Sequence, residues 1–164
     1  MAYRISRNLE ASFIDFLETT LAESPYSWTG INVIKGFNHA YELPTPTIAV
    51  RAENTVYDKV EIGSNSFTRV VQVFIDIFAS DDGMRLDLKD SIIEMLKDGL
   101  VYSEYTITKS GRTATASSTP NGRIRIQKIN DTPIDFNVVD KTKLDQHDKF
   151  RWLITATVSI SKVE

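Results

Sequence analysis

Side chains suited to metal or acid–base chemistry are few in this sequence. It contains two histidines, His39 and His147, and no cysteine, which excludes disulfides, thiolate metal sites and thiol catalysis. His147 lies near Asp140, Asp145 and Asp148. These are metal-ligand residue types, but their intervals match no defined ligand spacing and no rigid element hosts them. We therefore predict a solvated charged segment at this place and no metal site.

Other potential catalytic residues have simpler interpretations. His39 stands in a loop with Pro44 and Pro46, where a surface role is a better interpretation than a general base. Adjacent Asp81 and Asp82 have the form of a paired-carboxylate site, yet their place before a predicted helix favours capping. The chain has no G-x-S-x-G, G-x-x-x-x-G-K-[ST] or G-x-G-x-x-G motif. We predict that the protein is not an enzyme and needs no cofactor.

Bulk properties narrow the class further. Of the 164 residues, 41% are hydrophobic and 25% are charged, which is ordinary for a soluble globular protein. A net charge of −3 provides no overall basic surface for nucleic acid. No apolar run approaches the ~20 residues that span a bilayer, and the first residues lack the apolar region of a secretory signal. We expect one soluble domain over residues 1–164, made inside a cell.

The strongest structural signal is the stretch 66–100, which the rest of the chain must surround. Its first half is rich in β-branched and aromatic residues and predicts a central strand. The odd face, with Val71, Val73, Ile75 and Ile77, is almost continuously apolar, whereas the even face includes polar residues. We expect helices over the apolar face and a less apolar environment on the other. The polar positions of interest on that second face are taken to be Arg69, Gln72 and Asp76.

The second half of this stretch predicts an amphipathic helix. Asp81 or Asp82 is the expected N-terminal cap, and Gly99 is the expected left-handed residue at the end. The predicted apolar stripe consists of Leu88, Ile92, Met95 and Leu96, widened by Leu86, Ile93 and Leu100.

The remaining elements complete an α+β prediction. Ser6 is the expected cap of a first amphipathic helix over residues 7–23, and residues 150–161 alternate cleanly as a final strand. We predict a largely antiparallel sheet of about four to six strands with two amphipathic helices packed on one face. A long hairpin excursion over residues 109–149 is expected to protrude from it.

The excursion carries most of the clustered positive charge. Residues 110–122, SGRTATASSTPNG, contain no apolar side chain larger than alanine, so we expect a mobile tip between two strands. Edge charges that keep a hairpin soluble are one interpretation, and a basic finger that contacts an acidic partner or phosphates is the other. Tyr102 and Tyr105 could stack on bases, although strand tyrosines usually pack. The cations are Lys109, Arg112, Arg123, Arg125 and Lys128.

The order of elements resembles the tail terminator, or tail completion, proteins of long-tailed bacteriophages. The opening YRISRNLEASFIDFLETTLAES is similar to the first helix of that family. The stretch EIGSNSFTRVVQVFIDIFASDDGMRLDLKDSIIEMLKDGL is similar to its strand-then-helix centre, and WLITATVSISK to its final strand. The likeness covers nearly the whole chain as a pattern, without a diagnostic motif.

This resemblance implies a structural virion protein, a hexameric ring that caps the tail tube, stops its elongation and provides the head-docking surface. The implied partners are further copies of the chain, the tail tube protein, a head-completion protein and passing DNA that is bound without sequence specificity. The implied location is the head–tail junction of a virion assembled in the host cytoplasm. Interface candidates are Arg69, Gln72, Asp76, Arg112, Arg123 and Arg125. Another connector or tube subunit, or a nucleic-acid-binding module that uses the basic hairpin, remains an alternative.

Overall fold

The fold is α+β, with helices and a mostly antiparallel, curled sheet, as the sequence predicts. The computed structural model describes residues 4–59, 62, 67–136 and 140–161. The helices are α1 (Ile5–Ala22), α2 (Asp82–Leu96) and the short α3 (Gln146–Lys149), with 3₁₀ turns at Ala40–Glu42 and Lys141–Lys143. The strands are β1 (Asn32–Lys35), β2 (Thr47–Lys59), β3 (Phe67–Phe78), β4 (Leu100–Ser110), β5 (Thr113–Ile134) and β6 (Arg151–Ser161).

The sheet has the strand order β1-β2-β3-β6-β5-β4. The pair β1–β2 is parallel, and the other four neighbouring pairs are antiparallel. The chain therefore inserts its last strand between β3 and β5, in the middle of the sheet. Because a central strand has hydrogen-bonding partners on both sides, β6 joins the two halves of the fold.

A single large core lies between the sheet and the two long helices. Its sheet side is the odd face of β3, where Val71, Val73, Ile75 and Ile77 are all buried, and both α1 and α2 supply residues to the same cluster. The strand prediction and the placement of both helices on one sheet face are confirmed. The helix side contains Leu9, Phe13, Leu17 and Leu21 of α1 with Leu88, Ile92, Met95 and Leu96 of α2.

Helix α1 begins earlier than predicted. It begins at Ile5, its N-terminal flanking residue is Arg4, and no side chain caps it, so the prediction that Ser6 caps the helix is wrong. Ser6 lies within the first turn, where its backbone is already helical. The apolar spacing located the buried face correctly, because that face depends on periodicity and not on the exact first residue.

Helix α2 follows the predicted design at both ends. The Asp81 carboxylate accepts a hydrogen bond from the Met84 amide at 2.8 Å, which satisfies one of the free donors of the first turn. Gly99, just beyond the helix, has φ +69°. The prediction that Leu86 widens the buried stripe is wrong. Leu86 is 38% exposed, because it lies on the outer side of the helix away from that stripe.

The hairpin is ordered differently from the prediction. Its turn is only Gly111 and Arg112, and the stretch expected to be mobile forms the first part of β5. Ten cross-strand pairs join β4 and β5, from Ser110 with Thr113 to Leu100 with Ile124. These residues form a strand through backbone hydrogen bonds, and such bonds do not require apolar side chains. Beyond Pro120, residues 123–134 pair with β6, so only the outer part of the 109–149 segment protrudes.

Candidate functional surface: the open sheet face and the β4–β5 ribbon

The sheet face opposite the helices carries most of the residues of functional interest. We call it the open face, because neither α1 nor α2 covers it. The registers place side chains of β2, β3, β5 and β6 on it together, since directly paired residues point to the same side. Its central positions are partly exposed and mostly uncharged: Val70, Gln72 and Phe74 of β3 with Thr155, Thr157 and Ser159 of β6.

One end of the open face is closed by two loop segments. Phe78 is fully buried there by a group that includes Ala40, and the rings of Tyr41 and His147 pack on it with centroid distances of 5.8 and 6.4 Å. His147 is itself 3% exposed. The prediction that this residue belongs to a solvated charged segment is therefore wrong, because its ring fills the gap between the loop 36–46 and the sheet.

His147 is held by acceptors on both ring nitrogens. Nδ1 lies 2.6 Å from Asp145 Oδ1, and Nε2 lies 2.7 Å from the carbonyl oxygen of Leu43. Burial alone would lower the pKa of His147, but the Leu43 carbonyl and the Asp145 carboxylate outweigh it and raise the pKa above its usual value. Since a carbonyl and a carboxylate only accept hydrogen bonds, the fully bonded form is the imidazolium. The contact with Leu43 holds α3 against the loop 36–46.

The other predicted chemistry-bearing groups stay apart. His39 is exposed and lies 3.2 Å from the Glu42 carboxylate. Asp81 caps α2, while Asp82 pairs with Arg85. Among the residues that the structure describes, no group of three or more His, Cys, Asp or Glu side chains is arranged to hold a metal ion.

Asp76, predicted as an interface residue, is instead a buried charge at the closed end of the open face. It is 2% exposed and lies between two guanidinium groups, with Arg151 at 3.3 Å and Arg51 at 3.7 Å. Burial raises the pKa of Asp76 above its usual value, against the opposing effect of the two arginines. Removing one partner from such a group typically costs ~3–5 kcal/mol. Asp76 therefore orients the side chains of Arg51 and Arg151, and its own carboxylate is not accessible to a partner.

Arg69 lies on the other side of the sheet from the prediction. It pairs with Tyr57 and shares the odd face with Val71, so it belongs to the helix side. With Arg4, Ser6 and Arg7 it lines a cleft at the start of α1. The prediction placed an odd-numbered residue on the even face, and strict alternation along β3 corrects it. Gln72 lies on the open face as predicted, where it accepts a hydrogen bond from Asn54.

The basic residues of β5 form one row on the open face. Arg123 and Arg125 pair with Ser161 and Ser159 of β6, and the next residue in register is Lys128, opposite Thr157. A register irregularity between Ile126 and Lys128 turns Lys128, and not Gln127, toward this face. We call Arg123, Arg125 and Lys128 the basic row. Among the described residues, no carboxylate lies within 4 Å of their charged nitrogens.

Lys128 is the contact candidate that sequence reasoning missed. The alternation of RIRIQKI assigns Gln127 to the side of the arginines, and only the bulge reverses this assignment. Arg112 lies away from the row, in the two-residue turn at the far end of the hairpin. The predicted group of arginines is thus divided between the base of the β4–β5 hairpin, where Arg123 and Arg125 lie, and its tip, where Arg112 lies.

The outer part of the hairpin is a free-standing two-stranded ribbon. Its strands are residues 103–110 of β4 and 113–120 of β5, and its far half pairs with no third strand in the described residues. Every residue from 106 to 120 is exposed, including the apolar Ile107 at 47%. Isolated two-stranded hairpins are marginally stable in water. A projection of this kind is therefore suited to contact with another surface.

Helix α1 seals the outer edge of β4 at the base of the ribbon. The hydroxyl of Ser12 accepts from the Ser103 amide at 3.0 Å, and the side-chain oxygen of Asn8 accepts from the Tyr105 amide at 3.4 Å. Because β4 is an edge strand, these bonds satisfy donors that would otherwise attract another strand. The body of the sheet is thus protected from edge-to-edge pairing on this side.

The two tyrosines near the basic row serve packing. Tyr102 is fully buried in the core. The Tyr105 hydroxyl donates to Asp15 of α1 at 2.8 Å, and burial with this bond raises the pKa of Tyr105 to about 12. Neither ring lies free beside the arginines to stack on a base.

The comparisons with known proteins identify no relative. No protein-family model matches the chain, and no curated protein matches it. Within the described residues, no helix is both long and apolar enough to cross a membrane.

Proposed function

We propose that this chain is a structural subunit of a bacteriophage tail, a terminator that forms a closed ring on the tail tube. The observation that carries the proposal is the ribbon, which projects from a well-packed α+β body; its residues 106–120 are all exposed and, among the described residues, those of its two strands pair only with each other. The resemblance in element order to tail terminator proteins supports the same function. A subunit of this kind acts through surfaces and loops and not through a reaction.

In this proposal each face has a structural task. The helices and the closed core keep the subunit rigid, and the ribbon reaches a neighbour in the ring or the tube end below. The ring stops tube growth, presents a docking surface to the head-completion protein and lets DNA pass without sequence-specific contacts. The expected number of subunits is six, and the expected place of action is the head–tail junction of the virion.

The deciding measurement is the native mass of the purified protein across concentration, with electron micrographs of the same samples. A closed ring supports the terminator, whereas open tubes would reassign the chain to a tube subunit. For a monomer, sedimentation with purified tail tubes replaces the ring as the readout, because the tube end can act as the template for closure. Failure to bind tubes in that case contradicts the proposal.

A ribbon variant tests the feature on which the proposal rests. Deleting residues 113–121 would not test this feature cleanly, because that deletion would remove one strand of the ribbon and leave the other unpaired. Replacing residues 107–116 by Asn-Gly instead joins Thr106 and Ser117, a pair of the same hydrogen-bonded kind as Ser110 and Thr113 at the present turn, through a favoured two-residue turn. We expect an unchanged fold by circular dichroism and a loss of ring formation or tube binding. The control, Gly111→Asn, changes the present turn but keeps Arg112 and the full length of the ribbon, and should assemble; normal assembly of the shortened chain would contradict the assigned role.

The basic row favours nucleic-acid binding as a second candidate function. Three adjacent cations on one strand can contact phosphates, and such binding weakens steeply with added salt. Binding of short duplex DNA that falls linearly with salt on logarithmic axes, and that is lost on substitution of Arg125 and Lys128, would support this alternative. No binding at low salt would exclude it.

A further inference from the structure

Charge is divided between the two sides of the molecule. Residues 8–23 carry four carboxylates and no lysine or arginine, and residues 81–98 carry six carboxylates and three cations. Residues 99–134 carry the opposite excess, five cations and two carboxylates. The first segment covers α1 beyond its first turn, the second contains α2, and the third contains the β4–β5 hairpin with the basic row. Apart from the first turn of α1, where Arg4, Arg7 and Arg69 line a cleft, the helix side is therefore acidic, and the β5 part of the open face is basic.

The carboxylates of the two helices belong to one surface. Glu18 of α1 lines the same cleft as Trp28, and the Trp28 indole nitrogen donates to the hydroxyl of Ser91 on α2 at 3.3 Å. Asp87 precedes Ser91 by one helical turn and is exposed, as is Glu18. We call Glu18, Asp87 and their exposed acidic neighbours Asp90 and Glu94 the acidic helix surface.

Two carboxylates of this surface have no cationic partner among the described residues. Asp90 pairs with Lys89, and Glu94 with Lys97. In contrast, no charged nitrogen of the described residues lies within 4 Å of the Glu18 or Asp87 carboxylate. The basic row on the far side of the sheet likewise has no carboxylate within 4 Å in the part of the chain that the structure describes. Two uncompensated surfaces of opposite sign thus lie on opposite sides of one subunit.

From this arrangement we infer that the occupant of the basic row is the acidic helix surface of a second copy of the chain. The inference rests on the proposed function, since it specifies which faces of neighbouring subunits meet in the ring. A contact between two different surfaces of identical chains is heterologous, and repetition of it closes into a ring when the rotation allows. Complementary potentials set the pairing and its direction, while like charges placed opposite each other oppose it.

Charge exchange between the two surfaces tests the inference directly. The basic-row variant carries Arg125→Glu and Lys128→Glu, and the helix variant carries Glu18→Lys and Asp87→Lys; Arg123 is left unchanged, because its guanidinium donates to the Asp98 carbonyl within the chain. Each variant has two surfaces of the same sign, so we expect self-association to weaken by roughly 100-fold. The chain that combines all four substitutions should associate like wild type, and so should an equimolar mixture of the two variants.

The control and the outcomes separate this inference from the proposed function. Lys143→Glu with Lys149→Glu changes the net charge as the basic-row variant does, at positions outside both surfaces, and should leave sedimentation unchanged. The inference would be overturned if either surface variant associated as strongly as wild type. It would also be overturned if neither the chain with all four substitutions nor the equimolar mixture regained wild-type association. A wild-type protein and a mixture that both stay monomeric at low salt would overturn it too. In all these cases the proposed function is still decided by whether the wild-type protein binds tail tubes. If the basic-row variant lost DNA binding but kept self-association, the basic row would be assigned to nucleic acid.

Discussion

At the residue scale, the titratable groups of this protein hold segments together. The His147 ring lies against Phe78 and Tyr41 while both its nitrogens are bonded to oxygen acceptors, and the Asp76 carboxylate lies between two guanidinium groups. His147 fixes the loop 36–46 at the closed end of the open face, and Asp76 links β2, β3 and β6 beside it. Residue types that are common in active sites thus have structural tasks here.

His147 predicts a specific pH dependence of stability. Because the folded state raises the pKa of His147, its contribution is complete below the unfolded value of 6.5 and is lost as the pH rises through the folded value. We expect the free energy of unfolding, measured by urea titration, to fall in that window. The variant His147→Phe lacks the titrating ring and should show a flatter profile. Equal slopes for the two proteins would contradict the assignment of a stabilising imidazolium.

At the element scale, the junction of α2 with β4 leaves no room for a side chain. Gly99 has φ +69°, and a Cβ atom there would lie 2.4 Å from the carbonyl oxygen of Ile124. That oxygen belongs to the backbone of β5, so it cannot rotate away as a side chain would. The close approach of strand and turn fixes where α2 ends and how β4 enters the sheet.

The variant Gly99→Ala is therefore expected to be strongly destabilised. It combines the left-handed penalty of ~1–2 kcal/mol with a backbone clash, for a total of about 3 kcal/mol or more. Gly36→Ala is the matched control, since Gly36 has φ +65° with no atom within 4 Å of the added Cβ. Chemical denaturation should show a loss of only ~1–2 kcal/mol for the control. Similar losses in both variants would show that the contact with Ile124 is unimportant.

The sequence predicts elements well where one face is buried, and poorly where it is not. The alternation of β3 and the spacing of Leu88 and Ile92 report contact with the core, so the strand, the helix and their shared face are correct. The outer half of β5 is stabilised by backbone pairing alone, and its small polar side chains resemble a loop. Strict alternation along β3 would have placed Arg69 on the helix side, where the structure has it, although the prediction put it on the other face. In contrast, the bulge that exposes Lys128 leaves no signal in the sequence.

At the scale of the whole molecule, stability is distributed unevenly. The core strands β3 and β6 are paired on both sides and packed under the helices, whereas within the described residues the ribbon beyond Tyr105 has only its own cross-strand bonds. Local opening is easiest where apolar contacts are few and backbone bonds are exposed. The subunit thus combines a firm body with a weakly held projection.

Hydrogen exchange should reveal this gradient in the free protein. We expect amides of residues 106–110 and 113–119 to exchange with opening free energies near zero, whereas those of β3 approach the global value of ~5–15 kcal/mol. On assembly, the ribbon amides should become protected if the ribbon docks against another subunit or the tube. Strong protection of the ribbon in the isolated monomer would show that the two strands are stable without a partner.

The register shift at the base of the ribbon has a mechanical consequence. The pairing of β4 with β5 slips by one residue between Val101 and Ser103, where the ribbon leaves the body. The bulge sets the direction in which the ribbon leaves the body, and α1 holds it there through Ser103 and Tyr105. The five residues 106–110 beyond these contacts form an arm of about 16 Å, so a rotation of ~10° at Tyr105 displaces its tip by about 3 Å. Small adjustments at this point would let identical arms accommodate neighbours of unequal spacing.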